Sequence, residues 1–150
     1  MPINNFPLRP HSWYPSEVPQ LAVRVINPEN GLSCCTAAII DTGASASLIP
    51  EFISKAIGHT INAVRPCHCS TAGPVDATVY PHTYTLEIYS FEEGASNDAP
   101  IITIKNRIID TANCHFMILG VTDFLKDYIL TVNYPEKYFS LNKPANKLKN

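Results

Sequence analysis

Apolar residues recur along this chain in short runs broken by proline, glycine and asparagine, and few stretches show the spacing of an amphipathic helix. Leu21–Ile26 is β-rich and leads into Asn27-Pro28-Glu29-Asn30-Gly31, a strong turn sequence. Leu32–Ile40 returns as its partner, which predicts a hairpin. Pro50 suits the first position of a short helix with Glu51 in its first turn; Phe52, Ile53 and Ala56 supply its apolar face and Gly58 closes it. Thr60–Ala72 and Val75–Glu87 then read as two extended runs joined through Ala72-Gly73-Pro74. In the second, Tyr84, Leu86 and Ile88 alternate with Thr83, Thr85 and Glu87, giving a buried face and a wet one. Residues 90–99 have the composition of an exposed loop. Pro100–Ile109 and Cys114–Leu119 are further strands, the latter ending at Gly120. Thr122–Tyr128 predicts a short helix with Thr122 as N-cap, followed by a strand over Tyr128–Asn133, a turn at Tyr134-Pro135-Glu136-Lys137 and a last strand at Tyr138–Leu141. Many short strands with one or two short helices predict a mostly-β, small closed barrel-like domain.

The chain ends modify this picture. Residues 1–20 carry five prolines around Trp13 and Tyr14 and predict an extended arm, its aromatics packed across a surface such as that of a partner subunit. Residues 21–142 form the domain, and 143–150 a polar, basic tail with Lys143, Lys147 and Lys149. At 150 residues there is room for one core and not two. A net charge of −2 gives no footprint for nucleic acid or an anionic membrane. No apolar run reaches the length of a membrane span, and MPINNFPLRP lacks the pattern of a signal peptide, so a cytoplasmic location is expected. Five cysteines (Cys34, Cys35, Cys67, Cys69, Cys114) are then expected as small, buried, reduced thiols. Cys67-His68-Cys69, even with His59 or Cys114 added, does not match zinc-ligand spacing, so no metal is expected.

The chemistry concentrates in Ala37–Pro50, AAIIDTGASASLIP. An apolar strand, Ala37–Ile40, runs straight into Asp41-Thr42-Gly43. A carboxylate after four apolar residues is costly unless it lies in a cleft or has a partner, which makes Asp41 a candidate functional acid. An Asx-type turn after a strand accounts for the triplet equally well at this level.

The pattern of two apolar residues followed by Asp41-Thr42-Gly43-Ala44-Ser45 resembles the active-site loop of the aspartic proteases, and Ala44 places the resemblance with the retropepsin-like branch. A second segment extends it. Ile118-Leu119-Gly120 is similar to the family's apolar-apolar-Gly stretch beside the catalytic loop; Asp123-Phe124-Leu125 and Lys137-Tyr138-Phe139-Ser140-Leu141 match continuations found in bacterial and retrotransposon-like members. Thr71, Ala72, Gly73 and Pro74 stand where the family carries its substrate-closing flap. Val121 and Thr122 separate Gly120 from Asp123, where the family pattern has one residue.

The resemblance implies an acid-protease fold with one lobe per chain, and an endopeptidase needing no metal or organic cofactor. Only one Asp-Thr-Gly is present; Asp76, Asp98, Asp110, Asp123 and Asp127 lack that context. The second carboxylate would come from a second Asp41 across a homodimer axis, the substrate being a polypeptide. By the same resemblance Thr42 would cross-link the two loops and Gly43 would allow their close approach. Ala44, in place of a hydroxyl residue, would move the working range towards mildly acidic pH. Two other functions compete: a peptide-binding module of the same fold with little or no hydrolysis, and a monomeric precursor activated by rearrangement of the arm.

Overall fold

A computed structural model describes residues 3–70, 76–89 and 99–145. Its centre is a closed ring of six strands. Strand β2 (Gln20–Ile26) pairs antiparallel with β3 (Ser33–Ile40) through the expected turn, where Gly31 takes φ +74°. β3 runs parallel to β8 (Met117–Leu119), which touches β4 (Leu48–Pro50) at Ile118 and Leu48. β4 runs parallel to β7 (Ile102–Ala112), β7 pairs with β6 (Asp76–Tyr89), and β6 returns to β2, with Leu86 opposite Val25. Closure leaves the ring no free edge. β5 (Cys67–Ser70) attaches outside it, on β6.

The interior follows from the alternation in the sequence. Val23, Val25, Tyr84, Leu86, Ile88, Met117 and Leu119 point inward and are essentially inaccessible. A second sheet runs in the order β1 (Ile3–Pro7), β10 (Tyr138–Asn142), β9 (Ile129–Asn133). Ile3, Leu8, Phe139 and Leu141 join the same core cluster as the barrel. Part of the proline-rich arm is therefore a core-packed edge strand, a position where missing N–H donors are tolerated. A bulge between Ile3 and Phe6 places Asn5 at φ +54°, with its N–H on Ser140 Oγ. The rest of the arm folds back through a bridge between Arg9 and Val18. Trp13 stacks on His115 with ring centres 4.8 Å apart, and His11 and Tyr14 pack edge-on to Phe116. The arm aromatics thus lie on the chain's own surface just before β8.

Several sequence expectations are corrected. The helix α1 runs Glu51–Ala56, with Pro50 as its N-cap and Gly58 (φ +89°) just beyond its end. Its buried face is Ile53, Ser54 and Ile57; Phe52 is 60% exposed and Ala56 also faces solvent. Thr60–Ala72 is not one strand: a 3-10 turn at Ile61–Ala63 precedes β5. No α-helix forms over Thr122–Tyr128, only a 3-10 turn at Leu125–Asp127. The N–H groups of Val121 and Thr122 and the Thr122 hydroxyl bond to carbonyls of the Asp41 loop, so Thr122 cannot cap a helix. None of the five thiols is fully buried. Cys35 lies on the outer half of β3 and Cys67 on the strand outside the ring, and both are exposed. Partial burial pushes the Cys114 thiol up to about 11.

Candidate active site

Asp41 sits where β3 leaves the barrel. Ile39 and Ile40 are held opposite Ile118 and Leu119 of β8, and the Asp41 N–H extends the pairing by donating to Leu119 O at 3.0 Å. The chain then turns sharply. Gly43 N–H donates to Asp41 Oδ1 at 2.8 Å and Ala44 N–H to Asp41 O at 3.3 Å. This is the Asx-type geometry that the residues allowed, so the turn and the functional reading describe one loop. Asp41 and Ala44 are half-buried, whereas Thr42, Gly43 and Ser45 are exposed. The Asp41 carboxylate is thus held by a backbone N–H in a half-buried position beside the exposed Thr42 and Gly43.

Gly120, expected beside this loop, touches it. A Cβ there would lie 2.4 Å from both C and O of Ala46 and 2.9 Å from Ala44 O. Ile118 and Leu119 supply the parallel strand on which Asp41 rests. The structure brings together Asp41, Thr42, Gly43, Ala44, Ser45, Ile118, Leu119 and Gly120. The flap candidates Thr71, Ala72, Gly73 and Pro74 lie outside the described residues; Ser70 and Asp76 on either side are paired across β5 and β6.

Residues that sequence reasoning passed over complete the loop's support. The Asp123 carboxylate accepts hydrogen bonds from Ser47 N–H (2.9 and 3.1 Å) and from the Ser47 hydroxyl, while Ser47 Oγ accepts from Gly120 N–H at 2.9 Å. Val121 N–H reaches Ala44 O at 3.0 Å, and Thr122 reaches Ser45 O through its N–H (2.8 Å) and hydroxyl (2.7 Å). The extra residue before Asp123 is absorbed by this ladder. Asp123-Phe124-Leu125 was the available signal, but nothing local points from Asp123 to Ser47.

Behind the loop, Leu48 and Ile49 of β4 lie opposite Asp110 and Thr111 of β7. Burial, then the charge of Asp123, pushes the half-buried Asp110 carboxyl above its ordinary value. Thr111 joins Ser54 of α1 and Tyr84 of β6 in a fully buried triangle of hydroxyls: Ser54–Tyr84 at 2.6 Å, Ser54–Thr111 at 3.1 Å, and a Tyr84–Thr111 bond. Burial raises the Tyr84 phenol, so the cluster stays neutral. Below the loop, a pocket of about 210 Å³ is lined by Tyr14, Ile39, Asp41, Thr42, Leu130 and Tyr134, among others. Among the described residues no three His, Cys, Asp or Glu side chains form a metal-binding group, and no helix is long and apolar enough to cross a membrane.

No family model matches the chain, and no curated protein matches it. Solved structures do. A retropepsin-like aspartic protease from Rickettsia conorii superposes with a TM-score of 0.59 at 14% identity, covering 95% of this chain and 89% of that one. The EIAV protease, in complex with an inhibitor, gives a TM-score of 0.40 at 20% identity, over 78% of this chain and 93% of that one. The first of these carries the assignment, and it agrees with the closed six-strand ring and the scarcity of helix. This chain has the retropepsin-like fold.

Proposed function

We propose that the protein is a homodimeric aspartic endopeptidase whose active site is assembled from two Asp41 loops. The observation that carries the reading is the Asp41-Thr42-Gly43 turn, clamped by backbone to β8 yet exposed at its tip, at the end of a retropepsin-like barrel. Two carboxyls brought together across a two-fold axis share one proton, because both cannot ionise cheaply at close range. The ionised member takes a proton from a water whose oxygen attacks the peptide carbonyl carbon. The protonated member gives its proton to the carbonyl oxygen, forming a gem-diol. Collapse of that diol breaks the C–N bond; one diol proton returns to the dyad and the leaving nitrogen takes the other acid proton. Other described carboxylates near the loop have different tasks. Asp123 is bound to Ser47, and Asp110 stands opposite Leu48 behind the site. Thr42 is exposed at the tip of the loop, where it could meet its twin.

A peptide-library digest with wild type and Asp41→Asn side by side, between about pH 3 and 7, tests this. Cleavage by wild type alone, with both proteins equally folded, is the expected result. A wild type that binds peptides and cuts none would make the protein a peptide-binding module instead.

A further inference from the structure

We propose that Asp123, acting through Ser47, is the positioning residue that holds the Asp41 loop in register; the inference rests on the proteolytic reading above. Hydrogen-bond direction fixes the register. Residues 44–47 present two carbonyls and one N–H to the segment 121–123. Val121 and Thr122 answer the carbonyls of Ala44 and Ser45 with donors, and Asp123 answers the Ser47 N–H with an acceptor. A shift of one residue would set donor against donor at Ser47 and leave the Asp123 carboxylate unpaired, at a cost that a half-buried charge makes large.

The Ser47 hydroxyl extends the clamp. It donates to Asp123 and accepts from Gly120 N–H, so its single proton is committed in one direction. Gly120 follows Leu119, whose carbonyl receives the Asp41 N–H. A continuous path thus runs from the Asp123 carboxylate through Ser47 and the Gly120–Leu119 peptide to the backbone of Asp41. Ser47 is 1% exposed, so water does not replace either bond. The path uses both Asp123 oxygens as acceptors; a side-chain amide of the same shape would turn an N–H towards one of the Ser47 donors. Because the Asp123 carboxylate is hydrogen-bonded to Ser47 and not to Asp41, its effect is on placement rather than on the chemistry itself.

The test compares wild type, Asp123→Asn, Ser47→Ala and the double variant as full-length protein. It reads kcat and KM on a cleaved peptide together with amide exchange at Ser47 and Gly120. Misplacing a reacting group by about 1 Å costs on the order of 10²-fold in rate. Each single variant is therefore expected to lose roughly that much kcat, with KM within about threefold. The double variant should be little worse than either single, since both cut one path. Exchange at Ser47 should quicken in Asp123→Asn while β2 and β3 amides stay protected. Wild-type kcat in Asp123→Asn, or strictly multiplicative losses in the double variant, would overturn the inference. If Asp123→Asn does not fold, Ser47→Ala decides: lowered kcat with faster exchange at Gly120 supports the clamp, and wild-type values reject it. A wild type without proteolysis removes the enzymatic reading by itself. The exchange measurement then still judges the clamp, and unchanged exchange at Ser47 rejects it.

Discussion

A methyl group on Gly120 would lie 2.4 Å from the carbonyl carbon and oxygen of Ala46, where the backbone cannot retreat because Ala44, Ser45 and Ser47 are all hydrogen-bonded to 121–123. Gly120 has no positive φ, so the demand is for space rather than for backbone freedom. Gly120→Ala is expected to cost roughly 1–3 kcal/mol in urea unfolding. It should also abolish cleavage, since the displaced atoms belong to the Asp41 loop; a variant with wild-type stability would show that the loop yields easily. Asp110 makes the fold's stability depend on pH. Its folded-state carboxyl is raised above 3.8, so the folded protein holds that proton to a higher pH than the unfolded chain. Stability on this account falls as pH rises from about 3.8 through the folded value, and the charged form is a burden above it. Asp110→Asn should raise stability at neutral pH and flatten that fall. Urea titrations across the window check it, and an unchanged slope would contradict it.

Among the elements, the short helix α1 matters most for how the site is backed. Ser54 on its buried face meets Tyr84 of β6 and Thr111 of β7, adding hydroxyl bonds between helix and barrel to the apolar packing of Ile53 and Ile57. Tyr84→Phe leaves Ser54 and Thr111 as partners for each other and keeps the ring in the core. The expected cost is therefore only about 1 kcal/mol, read by chemical unfolding. A loss nearer that of a vacated core position would mean that Ser54 and Thr111 cannot re-pair. The helix end is fastened by the hairpin turn, since the Asn27 and Asn30 amides both donate to Ile57 O at 3.1 Å. That hairpin was legible because its turn chemistry is local: Asn27 to Gly31 specify the reversal whatever surrounds them. The buried side of α1 was not. Phe52 is more apolar than Ser54, yet Ser54 faces inward because two hydroxyls on other strands await it. β4 was equally hidden, since three residues form a strand only when β7 and β8 offer edges on both sides.

For the whole molecule, the barrel and the position of Asp41 could be read from short strands and one loop motif, while the contacts that hold the loop could not. Asp123 and Ser47 are 76 residues apart, and no periodicity joins them. The strand within the arm was hidden for a related reason. Its prolines argue against interior strand, but β1 needs only the edge that β10 provides, and the Ile3 side chain goes inward all the same. The proposed site is divided between two copies, each contributing one acid. The most direct test is to mix wild type with a tenfold excess of Asp41→Asn and measure cleavage per wild-type chain once subunits have exchanged. A shared site predicts a fall of about tenfold, because nearly every wild-type chain is then paired with a partner lacking the acid. An unchanged rate per wild-type chain, with exchange verified by sedimentation, would contradict it.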